Sequence, residues 1–121
     1  MAPTDLYTQL NEAIGAHGAW KLRLRMAAQK GTSSEMIETA GDCHVCDFGR
    51  WLDSLPSHVR AQPEARQTID LHAAFHTCAG RVAKIAAQGQ KDTALAMLDH
   101  EFNEASNALK NAVVKWKLAA N

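Results

Sequence analysis

Proline and glycine are scarce, with three and seven copies among 121 residues. They fall mostly between stretches of helical periodicity, so long helices can run uninterrupted. No stretch alternates apolar and polar residues for long enough to compete as a strand, and neither an internal repeat nor a low-complexity tract is present. No apolar run approaches the ~18–20 residues that span a bilayer. Excess charge is also lacking: thirteen Lys and Arg balance thirteen Asp and Glu. That balance excludes the basic surface that nucleic acid requires and a polybasic membrane anchor. The opening MAPTDLYTQLNEAIG has no charged start followed by an apolar block, so the expected location is cytoplasmic. Cysteine is scarce too, with three copies, an odd count. Two of them lie together as Cys43-His44-Val45-Cys46. In a reducing compartment such a pair points to metal or redox chemistry.

What remains is one domain. The hydrophobic share is 46% and the charged share 21%, the balance of a folded globular chain. A chain of this size buries about two-thirds of its unfolded surface, enough for a core without cross-links. It is too short for a large catalytic module, so its output is expected to pass through a partner or an attached region.

Three long helices are predicted. The first runs from a Thr4/Asp5 cap to about Lys30 and stops at Gly31. Leu10, His17 and Leu24 share one heptad position, and Leu6, Ala13, Trp20 and Ala27 share another, so His17 points into a seam. Thr32-Ser33-Ser34-Glu35 can cap a short helix through Ile37 that Gly41-Asp42 breaks. A short helix is expected at residues 48–55, and Pro56 and Pro63 frame a linker. The second long helix runs from Pro63 or Glu64 to Gln88, with Gly89 beyond its end. It carries a large stripe (Leu71, Phe75, Cys78, Val82, Ile85) and a smaller one (Ala65, Ile69, His72, His76, Ala79, Ala83, Ala86). Such a wide buried face predicts more than one neighbour, with a second subunit as one candidate. The last helix starts near an Asp92 N-cap and holds an unbroken 3–4 spacing from Leu95 to Trp116. The whole predicts an antiparallel helical bundle.

His72 and His76 lie one turn apart on one helix face, the spacing by which one helix gives a metal two ligands. The competing reading is two core histidines bonded to carbonyls. The small alanines around them leave room for further donors and tilt the pair toward metal. A lone seam histidine such as His17 is more often a satisfied core residue, but the pair is short of ligands, and a structural zinc takes four N or S donors. Cys46 is the natural fourth. At the start of a short helix the helix dipole is expected to lower its thiol pKa. Spacing leaves Cys46 equally readable as a buried structural cysteine. Cys78 lies about 200° round the helix from His76 and belongs to the apolar stripe. Cys43 is a resolving thiol for Cys46, a spare ligand, or neither. His44, His58 and His100 are expected in solvent, and Glu35, Glu38, Asp42 and Asp47 as surface or capping groups.

Two alternatives come from other classes. A ferritin-like di-iron bundle needs Glu-x-x-His, and no histidine here has Glu three residues before it. A hemerythrin-like di-iron bundle shares a lone first-helix histidine and a His-x3-His, but its carboxylates are absent: Phe48 follows His44 by four, Gln62 follows His58 by four, and Ala105 follows His100 by five. A metal-independent helical dimerisation module would explain the wide apolar face but not the histidines on it. An enzyme is not expected, since a site closed by four protein ligands leaves no position for a catalytic water.

Three motifs together resemble the chemoreceptor zinc-binding (CZB) domain family: Ala16-His17-x-x-Trp20-Lys21, Cys46-Asp47-Phe48-Gly49-Arg50-Trp51-Leu52, and His72-x-x-x-His76. The second, similar to the family's Cys-x-Phe/Leu-Gly-x-Trp, is the most specific, and order and spacing agree from about Asn11 to Leu118. The resemblance implies a Zn2+ site of three histidines and one cysteine, with His17, Cys46, His72 and His76 as ligands. It implies an all-α antiparallel four-helix bundle with an additional short helix, usually a homodimer. It further implies control of bacterial signalling outputs, chiefly cytoplasmic chemotaxis receptors and diguanylate cyclases, in response to zinc or to hypochlorous acid at the zinc-bound Cys46. Cys43 is an addition to the family motif and leaves resolving-thiol chemistry open. No output region lies within the 121 residues.

Overall fold

The computed structural model describes residues 3–30, 34–44 and 46–120. All regular structure in these residues is helical: α1 (Pro3–Lys30), α2 (Ser34–Gly41), α3 (Asp47–Ser54), α4 (Ser57–Arg60), α5 (Pro63–Ala87), α6 (Lys91–Met97) and α7 (Asn103–Ala120). A π-helical turn, Leu98–Phe102, joins α6 to α7 into one rod. The stop expected at Gly31 and the cap expected at Thr32 and Ser33 lie outside the described residues.

Ion pairs and polar contacts set the directions. Asn11 meets Lys117, Lys21 meets Asn103 at 2.8 Å, and Arg25 meets Asp99 at 3.4 Å, so α1 runs opposite to the last rod. Arg81 faces Glu101 at 3.7 Å, and α5 turns back into α6 at Gly89, whose φ of 79° is readily open only to glycine. The last rod is therefore antiparallel to both α1 and α5, and those two run parallel. The return between them is made by α2, α3 and α4.

The core is the seam that periodicity predicts. Leu10, Ala13, Trp20 and Leu24 of α1 share one buried cluster with Phe75, Ala79 and Val82 of α5 and Leu98, Phe102, Leu109 and Trp116 of the last rod, and Ala27 is buried as well. The wide face of α5 is covered within the chain: α1, α2, α6 and α7 all pack on it. Phe75 and Val82 of the large stripe are fully buried, whereas Leu71, Cys78 and Ile85 sit half-buried on its flank.

Several boundaries differ from the expectations. Helix α1 already includes Pro3, so Thr4 and Asp5 lie in its first turn. Helix α3 begins one residue earlier and ends at Ser54. The linker between the prolines folds one turn, α4, because Pro56 accepts from the N–H groups of Val59 and Arg60. Gln90 caps α6, and Asp92 sits in its first turn, where a carboxylate still favours the positive end of the dipole. The last rod is broken by the π turn, which buries Leu98 and Phe102 while Asp99 and Glu101 reach Arg25 and Arg81.

Helix α2 sits on α5 with backbones in contact. A Cβ on Gly80 would lie 2.7 Å from the Cα of Gly41, closer than real side chains approach. Gly80→Val is expected to force the helices apart and destabilise the fold by about 1–3 kcal/mol. A lowered urea midpoint with an unchanged m-value would show it.

Candidate metal centre

Three elements bring four donors together. His17 projects from the inner face of α1, His72 and His76 from α5, and Cys46 caps the N-terminus of α3. Their ligand atoms all lie within 4.8 Å of one another. The closest approaches are 3.0 Å between Nε2 of His17 and His72, 3.2 Å from Cys46 Sγ to His72 Nε2, and 3.9 Å from Cys46 Sγ to His17 Nε2. A tetrahedral zinc site with bonds of 2.0–2.3 Å has ligand–ligand edges of about 3.3–3.7 Å, so the cluster is close to that size. The histidines are buried, at 5%, 2% and 0% exposure, while Cys46 is half-buried.

The partners on the far side of two rings orient them. His17 Nδ1 donates to the Ala13 carbonyl at 2.7 Å, and His76 Nδ1 donates to the Ala40 carbonyl of α2 at 2.9 Å. A neutral ring that donates from Nδ1 keeps its lone pair on Nε2. His76 Nε2 is buried with no hydrogen-bond partner. An orphaned buried polar atom costs about 1–3 kcal/mol, and a metal ion at the cluster would satisfy it.

Glycine shapes the fourth corner. The Gly49 N–H donates to Cys46 Sγ at 3.3 Å, and the thiol contacts the Cys43 carbonyl at 3.6 Å. A Cβ on Gly49 would fall 1.6 Å from the Cys43 carbonyl oxygen and 3.2 Å from His72 Cε1. Phe48 packs edge-on to His72 and His17, and Trp51 stacks on Phe48 and reaches Trp116 of α7. Sequence reasoning quoted Gly49 as part of the motif around Cys46. It missed the carbonyls of Ala13 and Ala40, because a backbone acceptor leaves no mark in residue identity.

Burial keeps the rings neutral. Desolvation lowers the pKa of His17 to about 4 and of His72 to about 3, and also lowers that of His76. Neutral imidazoles with free lone pairs are metal donors. At Cys46 the expectation of a lowered pKa is overturned for the metal-free site. Burial raises it, and the N–H groups of Gly49 and Phe48 offset only part of that rise. A cation would be needed to hold the thiolate.

The other histidines stay outside. His44, His58 and His100 are exposed, and His44 pairs with Asp53 at 2.8 Å. Cys78 is half-buried against the core. Cys43 adjoins the site through its carbonyl. Among the described residues the cluster contains no carboxylate, which a di-iron centre would need as a bridge.

The model of the chemoreceptor zinc-binding domain matches residues 17–83, a span that holds all four donors. The chain belongs to this family. No curated protein and no solved structure gives a significant match. The matched span of the CZB domain ends within α5, so the last rod, which completes the core around its donors, lies beyond it.

Two outcomes follow for this CZB domain. Gly49→Ala is expected to displace the Cys46 turn and weaken metal retention at least tenfold in a chelator competition, whereas His100→Ala leaves it unchanged. The depressed histidine pKa values also set an acid limit for the metal-free protein. The unfolded chain takes up protons below about pH 6.5, while the folded rings resist until pH 3–4. Stability is therefore full above pH 6.5 and falls steadily as pH drops through this window. Denaturant midpoints from pH 7.5 to 4 with excess chelator would measure it.

Proposed function

We propose that this domain is a zinc-binding regulatory module, with His17, Cys46, His72 and His76 holding one Zn2+. The observation that carries the reading is the buried, unpartnered Nε2 of His76, which faces three other donors. A bound zinc ion would neutralise the Cys46 thiolate and tie α3 to α1 and α5. Four protein donors complete a tetrahedron, which favours a sensory role over a catalytic one.

The same donor set supports Cys46 as the moving part. Three donors sit on long, buried helices, and Cys46 alone is half-exposed on an eight-residue helix. The signal is zinc loss or oxidation of the Cys46 thiolate by hypochlorous acid. In the oxidation, sulfur takes up the oxygen as sulfenate, and chloride and a proton leave. Cys43 is the candidate resolving thiol: its attack on a Cys46 sulfenic acid would form a disulfide and release water. Either event breaks the bond between Cys46 and the metal and frees residues 41–55. Trp51 rests on Trp116, so movement of α3 would reach the end of the last rod. The reading takes the fold as the family's antiparallel four-helix bundle with an additional short helix, and the working state as a cytoplasmic homodimer. The output would be a chemotaxis receptor or diguanylate cyclase type of signalling region.

Elemental analysis of protein purified without chelator tests this. About one zinc per chain is expected. Cys46→Ala should lower zinc affinity at least tenfold, and stoichiometric hypochlorous acid should release zinc from the wild type with a change in tryptophan emission. Protein that neither carries nor takes up zinc would overturn the assignment. Zinc that chelator removes but hypochlorous acid does not would leave the metal itself as the signal.

A further inference from the structure

The outward face of α1 departs from the rest of the surface. On the side opposite the His17 seam, Asn11, Gly15, Gly18, Ala19, Leu22 and Met26 are all exposed, and none is charged. Leu22 is 63% and Met26 46% exposed. Each glycine inside a helix costs about 1 kcal/mol relative to alanine. Nothing within the chain requires Gly15 or Gly18, because a Cβ on either would meet no atom within 4 Å. The contrast with Gly41, Gly49 and Gly80, each crowded by a neighbour, is complete. Small residues beside a leucine ridge allow a second helix to approach closely.

The flanking charges identify the occupant. Glu12 and Arg23 are both exposed and lie three turns apart on one flank of the stripe. The Arg23 guanidinium rests over the Trp20 ring at 3.9 Å, which restricts its side chain. When two copies of a helix pair in opposite directions, residues on the same flank face each other. Glu12 of one copy then meets Arg23 of the other, twice by symmetry. The same register sets Leu22 of one copy between Asn11 and Gly15 of the other, and Gly18 between Gly15 and Ala19. A single surface complementary to itself in both shape and charge is the mark of an isologous two-fold contact.

We propose that the α1 stripe from Asn11 to Met26 is the face on which a second copy of this chain pairs, antiparallel and two-fold symmetric, with Leu22 seated between Asn11 and Gly15. This deepens the homodimer reading and rests on it for the choice of partner. It has a consequence for signalling. His17 and the stripe occupy opposite sides of one rigid helix, so a shift of His17 at the metal centre moves the dimer contact directly.

Sedimentation equilibrium on the full chain, with zinc content measured on the same samples, tests the proposal. The wild type is expected to be a dimer. Leu22→Glu should weaken the dimer at least tenfold, as should Gly15→Leu, which favours the isolated helix and so tests contact separately from folding. Glu12→Arg and Arg23→Glu should each weaken it, and the two combined should restore it. A zinc-loaded wild type that stays monomeric at high micromolar concentration overturns the interface and leaves the metal reading standing. A dimer that persists without zinc uptake overturns the metal reading alone. A dimer indifferent to both Leu22→Glu and Gly15→Leu overturns the face, and failure of the charge swap to restore affinity overturns the antiparallel register.

Discussion

The meeting of three imidazoles and one thiol in a dry seam is the constraint on which the rest of the structure depends. Buried nitrogen donors must be satisfied, and within the protein one of them, His76 Nε2, is not. The other ring nitrogen of His76 is engaged by Ala40 of α2, and that of His17 by its own helix. The rings therefore cannot turn to find other partners without losing a buried hydrogen bond. Helix α2, which packs on α5, is tied to the centre through this carbonyl. The orphaned nitrogen is costly when the centre is empty, and a cation among the four donors would satisfy it.

Close backbone approach supplies the precision. Gly41 and Gly80 let α2 lie on α5, and Gly49 lets the Cys43 carbonyl and the His72 ring crowd the α3 N-terminus. These contacts place Cys46 against His72 without a loop long enough to blur its position. By contrast, α3 is attached to the bundle largely through side chains: Phe48 against the histidines, and Trp51 against Trp116. The centre thus combines two rigid walls with one wall held by aromatic contact and by the donor itself. That difference in attachment sets Cys46 apart from the three histidines of the centre.

Much of this was legible in the residues. Heptad spacing placed His17 between Leu10 and Leu24, and all three are buried. The His-x3-His spacing put His72 and His76 on one face, and both are buried as well. Other features were not legible. The π turn at Leu98–Phe102 leaves no sequence signature, because the spacing of Leu98, Phe102 and Leu109 suits an unbroken helix equally well. The wide face of α5 predicted more than one neighbour, and α1, α2, α6 and α7 all pack on it, an identity of neighbours that the spacing could not give. Periodicity shows that a face is buried, not by what.

Sequence alone determined the helical class, the long helices and the placing of His72 and His76 on one face, since periodicity and residue chemistry are local properties, while His17 and Cys46 joined them only through the family resemblance. Tertiary structure decided that the donors converge, which nitrogen of His17 and His76 faces the centre, and that burial raises the Cys46 pKa where a helix dipole alone would lower it. Those outcomes depend on backbone carbonyls and on solvent exclusion by elements distant in the chain. Neither is written in a residue's identity; both appear only when α1, α2, α3 and α5 are packed together.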